Sequence, residues 1–268
     1  MAATRILPTR NGLRKYAGAP KRRLPAPHVE GLAASAEENV GSTREAPSLP
    51  QLRSYYDQLF QAYGPQHWWP GRTRFEVIVG AILTQSTSWN NVERAITALR
   101  REKLLSPSAM EHLPVARLAK LIRSSGYFRQ KARKLKAFVH FLRQRYQGSL
   151  NKMFATPTAE LREQLLAVHG IGPETADSIL LYAGNHPVFV VDAYTRRILE
   201  RHQLIHGKHS YEQIQQLFQE NLPARSALFN EFHALIVHTG KHFCRKRHPD
   251  CQQCALRPFL PAAEEPKV

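Results

Sequence analysis

The chain has 268 residues, with 38 lysines and arginines against 21 acids and a formal net charge of +17. That length suits one large domain or two lobes sharing a cleft, and so basic a balance points to a polyanionic partner, DNA ahead of an anionic membrane surface. No apolar run reaches the length of a membrane span or has the core of a secretory signal, and three cysteines make no disulfide framework. A membrane span and a disulfide-stapled secreted domain are excluded, and a cytoplasmic, nucleoid-associated protein is expected.

Residues 1–49 carry Pro8, Pro20, Pro25, Pro27 and Pro47 and little apolar periodicity, and seven basic residues precede the first acid, Glu30. They read as a disordered basic arm that adds non-specific DNA affinity. An inert tail and an organelle transit segment are the alternative readings. From Leu52 the pattern is helical. Leu52, Tyr55, Tyr56, Leu59, Phe60 and Tyr63 form an amphipathic stripe that Gly64-Pro65 stops. Phe75 to Leu83 and Val92 to Leu99 predict a pair of helices. Val115 to Ile122 and the strongly basic Phe128 to Tyr146 predict two more. Further helices are expected after Asp192, near Tyr211–Leu222 and across Phe229–Thr239. Val188–Val191 is short and reads as a buried extended link rather than a strand.

The most informative stretch is residues 161–192. Leu161, Leu165, Leu166 and Val168 lie on one face of a helix ending near His169. Gly170-Ile171-Gly172 then gives a tight turn, since both glycines permit positive φ. Pro173 suits the first position of the next helix, which Thr175, Ala176, Ile179, Leu180 and Ala183 continue. Glycines beside a helix N-terminus expose backbone N–H groups, a geometry that binds phosphate oxygens without reading bases. An ordinary helix–turn–helix packing unit is the competing reading for the turn alone. Asp192 follows the second glycine by about twenty residues, where the apolar run ends and a helix begins. A carboxylate there faces backbone N–H groups and the positive end of the helix dipole.

Together these residues resemble the helix-hairpin-helix motif and trailing aspartate of the endonuclease III superfamily of DNA glycosylases. The resemblance runs from about Leu52 to Cys254 and is nearest to the bacterial 3-methyladenine glycosylases of that superfamily. It implies an all-α, two-lobed fold with the DNA cleft between the lobes. The glycosylase domain would cover residues 50–260. Its barrel lobe would span about 73–184 and the second lobe about 50–72 plus 185–243. A cysteine loop would occupy 244–254 and a tail 261–268.

The resemblance also assigns roles. Asp192 becomes the catalytic carboxylate that stabilises an oxocarbenium ion at C1′ or orients water toward it. Its competitor is a plain N-cap aspartate. Bifunctional members carry a lysine at the hairpin position held here by Glu174, and that lysine forms a Schiff base. Glutamate forms no imine, so a monofunctional enzyme is expected, with Glu174 a first-turn acid. His67-Trp68-Trp69-Pro70 resembles the aromatic pocket of the 3-methyladenine enzymes, where an electron-poor alkylated purine stacks. A core anchor between the lobes is the alternative. Lys241 falls where it lines the same pocket, with a solvated surface lysine as the competing reading. Gln85 matches a glutamine that wedges into the duplex as the target base flips out, with a polar helix C-cap as the competing reading. His169, Gly170, Ile171, Gly172 and Thr175 belong to the DNA-binding hairpin. Lys131, Arg133 and Lys134 are expected on phosphates or on a solvated helix face.

Cys244, Cys251 and Cys254 have the spacing Cys-x6-Cys-x2-Cys of the first three ligands of the family's 4Fe-4S cluster. The fourth position is Leu260, and the sequence has no other cysteine. Three readings stand: a cluster with a non-cysteine ligand, a zinc with His242 or His248, or a metal-free loop. The expected function is excision of alkylated purines by a monomer acting on double-stranded DNA with damaged bases. The alternatives are a glycosylase/lyase on oxidised pyrimidines and a damaged-DNA binder without catalysis, including a redox-sensing one that needs a cluster.

Overall fold

The computed structural model describes residues 49–69 and 71–261. The basic arm lies outside the described residues but for Leu49, the tail but for Pro261, and Pro70 of the aromatic motif is outside them too. Among the described residues every regular element is helical.

Helix α1 (Leu49–Tyr63) buries Leu52, Tyr55 and Leu59 and packs against α11 (Tyr211–Asn221) and α12 (Ser226–His242). It stops at Gly64, whose φ of +67° turns the chain away. Helix α2 (Arg74–Leu83) is capped by Thr73, whose hydroxyl accepts the Glu76 N–H at 3.1 Å. Residues Phe75 to Leu83 are all buried, as for a helix surrounded by others. Its neighbours are α3 (Trp89–Arg101), α6 (Phe128–Tyr146) and α9 (Pro173–Ser178) with the π turn Ile179–Ala183 that prolongs it.

The predicted helices are present, and Phe128–Tyr146 matches to the residue. Two short helices were not foreseen. Both α4 (Pro107–His112) and α7 (Leu150–Phe154) begin at a serine, Ser106 and Ser149, whose hydroxyl accepts a backbone N–H of the first turn. Helix α5 (Val115–Leu121) lies between α4 and α6 in the chain, and α8 (Thr158–Leu166) leads into the hairpin.

The two hairpin helices are tied together by an ion pair on a buried acid. Arg162 on α8 donates Nε and Nη2 to the two Asp177 oxygens on α9, at 2.7 and 3.1 Å. Gln215 of α11 donates to Asp177 Oδ2 at 2.8 Å. Asp177 is fully buried, so loss of Arg162 would strand a charge at a cost of about 3–5 kcal/mol.

Residues 188–191 run extended and buried with no sheet to join. Buried backbone groups need partners, and side chains of α11 supply them. Phe189 N–H donates to Gln219 Oε1 at 3.0 Å, Phe189 C=O accepts Gln215 Nε2 at 2.7 Å, and Val191 N–H donates to the Tyr211 hydroxyl at 3.3 Å. Phe189 stacks on Phe218 with ring centroids 3.7 Å apart. This anchored segment delivers Asp192 to the start of α10 (Ala193–Arg201), which packs on α12.

Candidate active site and DNA-facing hairpin

Asp192 is the N-cap of α10. Its Oδ1 accepts Thr195 N–H at 2.8 Å and Thr195 Oγ1–H at 3.0 Å. Oδ2 takes no part in the cap and faces His233 Nε2 on α12 at 3.6 Å. The carboxylate is therefore both the N-cap and a group with one oxygen left over.

That oxygen opens on a cavity of about 440 Å³. Its aromatic wall holds all three tryptophans of the chain, Trp68, Trp69 and Trp89, with Tyr182 and Tyr194. Trp69 is the hub, edge-on to Trp89 at 5.3 Å and tilted against Tyr182 at 5.0 Å. It lies over Gly80 of α2, where a Cβ would stand 3.3 Å from its ring. Lys241 is exposed at the cavity mouth with Nζ 5.8 Å from the Trp68 ring centroid, a cation–π contact.

Glu174 also lines the cavity. Its surface is open to the cavity solvent, yet the surrounding walls, and after them the Asp192 charge, push its carboxyl up to about 7. Two acids on one cavity thus differ in environment: Asp192 is tied to a helix N-terminus and Glu174 is disfavoured as an anion.

Gln85 joins the cavity rim to the hairpin. Its Nε2 donates to Gly170 C=O at 3.1 Å and Thr175 Oγ1 at 2.9 Å, and its Oε1 accepts Lys134 Nζ at 2.5 Å. The two hairpin glycines differ in backbone conformation. Gly170 has φ +83°, but Gly172 is extended at φ −97°, ψ 179°. Gly172 matters by its missing side chain: a Cβ there would meet nothing within 4 Å, which leaves its backbone open to an approaching phosphate. His169 is exposed, whereas Ile171 and Thr175 are buried. The Ile171 N–H is spent on Val168 C=O at 3.0 Å, so Ile171 anchors the turn and does not offer a donor.

Lys131 corrects another expectation. It is 2% exposed, with Nζ donating to Leu83 C=O at 2.9 Å and Ser125 C=O at 2.6 Å. It ties the end of α2, just before Gln85, to the turn preceding α6, and it reaches no phosphate. Arg133 is exposed and Lys134 crosses the hairpin.

The cysteine loop does not fit a cluster. Arg201 Nη1 donates to Cys244 Sγ at 3.2 Å and to Arg245 C=O at 2.8 Å, and Nη2 donates to Lys246 C=O at 3.2 Å. Arg197 adds Cys244 C=O at 2.8 Å and Gly240 C=O at 3.1 Å. Leu260 occupies the fourth ligand position. The three cysteines border a space of only about 20 Å³. Among the described residues no group of three or more His, Cys, Asp or Glu could hold a metal ion. Two arginines, Arg197 and Arg201, hold the loop against α10.

The site thus brings together Asp192, Trp68, Trp69, Lys241 and Gln85, residues far apart in the chain. Sequence reasoning missed Trp89, Tyr182, Tyr194 and His233. Trp89 at the start of α3 carried a weak signal, Tyr194 stands two residues after Asp192 in the turn it caps, and nothing in spacing ties Tyr182 or His233 to Asp192.

Among the described residues, an aromatic cavity with two acids thus lies beside a glycine hairpin on an all-helical frame. Residues 79–224 match the model of the HhH-GPD superfamily of base excision DNA repair proteins, and the chain belongs to that superfamily. It is 46% identical over 206 residues to a Methanocaldococcus jannaschii protein, MJ1434, that is provisionally named a DNA repair glycosylase; the match covers 76% of this chain and 93% of that protein. Its fold is similar to endonuclease III trapped in a covalent intermediate with DNA, with a TM-score of 0.69 and 22% identity over 80% of this chain and 96% of that one. It is also similar to the H. pylori 3-methyladenine DNA glycosylase MagIII, solved with 1,N6-ethenoadenine. That TM-score is 0.61, with 27% identity over 72% of this chain and 96% of that one.

Proposed function

We propose that the protein is a monofunctional glycosylase that releases alkylated purines, such as 3-methyladenine, from double-stranded DNA. The observation that carries this reading is the composition of the cavity: three tryptophans and two acids, with Glu174 at the position where a lyase needs an amine. The likeness to the H. pylori 3-methyladenine enzyme supports it.

Gly170 and Gly172 hold the backbone of the damaged strand and Gln85 fills the gap as the base flips out. The base stacks on the Trp68–Trp69 wall. A 3-alkylated adenine is cationic while attached, so its C1′–N bond is already weak. Both electrons of that bond leave with the base, which departs neutral and needs no added proton. The positive charge that develops on the sugar faces Asp192 Oδ2. Water then adds to C1′ and gives up a proton, leaving an abasic site. One cavity serves one base, so a monomer is the functional unit, and the cytoplasmic nucleoid is the proposed place of action.

The test is chromatography of bases freed from duplex DNA carrying methylated purines or oxidised pyrimidines, with borohydride trapping alongside. Methylated purine with no trapped adduct is expected. Among the described residues Lys241 is the one amine lining the cavity. An adduct that disappears in Lys241→Met would place lyase chemistry there and overturn the monofunctional reading.

A further inference from the structure

His233 enters the cavity from α12 and is 5% exposed. Its Nδ1 stands 2.6 Å from the Tyr182 hydroxyl. Its Nε2 is buried without a hydrogen-bond partner and faces Asp192 Oδ2 at 3.6 Å. A buried orphan nitrogen in a native site calls for a reason.

Burial keeps the ring neutral, against the pull of Asp192, so it carries one proton. On Nδ1, that proton would leave the Nε2 lone pair pointing at a carboxylate. On Nε2, the ring accepts the Tyr182 O–H at Nδ1 and presents an N–H to Asp192. Electrostatics select the second arrangement.

We propose that His233 is a positioning residue of the glycosylase: Tyr182 fixes it as the Nε2–H tautomer, and that N–H aims Asp192 Oδ2 at C1′ of the flipped nucleotide. The inference rests on the catalytic reading of Asp192. Oδ1 is already committed to Thr195, so the histidine is placed to set the remaining oxygen. At 3.6 Å the contact is too long for a hydrogen bond. Such contacts tend to tighten once substrate fills the site.

Two measurements test this. The first is ¹⁵N NMR of His233 in the full chain, which needs no substrate. The Nε2–H tautomer is expected, and an Nδ1–H ring would overturn the proposal. The second is single-turnover base release from methylated duplex DNA. His233→Leu should be slower by about tenfold or more with DNA affinity unchanged, and His233→Gln, which restores an N–H donor, should recover part of the rate. A role in packing alone would favour leucine over glutamine, and that order would overturn the proposal, as would a wild-type rate in both. Should His233→Leu fail to fold, Tyr182→Phe carries the kinetic test, with a reduced rate expected and an unchanged one against it. Asp192→Asn runs in parallel: a wild-type rate there would defeat the Asp192 reading itself, separately from a His233 failure.

Discussion

The Lys134 side chain lies across Gly170, so that a Cβ on the glycine would stand 2.4 Å from Lys134 Cγ. Gly170 also needs its positive φ, whereas Gly172 is extended and open. The two glycines therefore fail differently. Gly170→Ala should lower stability by about 1 kcal/mol or more, through strain and displacement of Lys134. Gly172→Ala should melt like wild type yet bind duplex DNA more weakly, because its new methyl stands where a phosphate approaches. Thermal melting and a salt series of DNA affinities separate them. Equal melting losses in both variants would contradict the distinction.

Glu174 links pH to stability. Its carboxyl is raised to about 7 in the folded protein by its surroundings and by Asp192, against about 4.5 in the unfolded chain. Between those values the folded state holds the proton and the unfolded state does not. The contribution is thus present in full below about 4.5 and falls as pH rises through about 7. Glu174→Gln should melt higher than wild type at pH 8, with the gap closing by pH 4. The gain is modest because the carboxylate meets cavity solvent. A melting difference independent of pH would count against the assignment.

The cysteine loop yields a third test. If Arg201 and Arg197 hold it without a metal, a strong chelator leaves the melting temperature unchanged and purified protein carries well under one iron or zinc per chain. Arg201→Ala, losing three hydrogen bonds, should cost about 1–3 kcal/mol, seen as several degrees of melting. A chelator-induced drop would show that a metal ties the loop.

Much of this was legible in the chain. Helix α6 follows from an uninterrupted apolar stripe between Tyr127 and Gln147, both at positive φ, so its ends are sharp. The hairpin reads from Gly170, Gly172 and Pro173 because local backbone chemistry dictates it. The short helix α4 also had its signal, Ser106-Pro107, but six residues give too little periodicity to notice. Other features are tertiary and leave no local trace. Lys131 looks like its exposed neighbour Arg133 in a basic run, and only the approach of Leu83 and Ser125 carbonyls makes it a buried tie. His233 sits in an apolar stretch of α12, and its meeting with Tyr182 and Asp192 depends on the extended segment 188–191 being threaded beneath α11.

The central claim is that Asp192 drives base release. Asparagine keeps the N-cap oxygen that Thr195 needs, so Asp192→Asn should fold and bind DNA as wild type does while losing the negative charge at Oδ2. The decisive measurement is single-turnover release of methylated purine from duplex DNA by both proteins. The expected result is release by wild type and a fall of about a hundredfold or more in the variant. Equal release by the two would contradict the account.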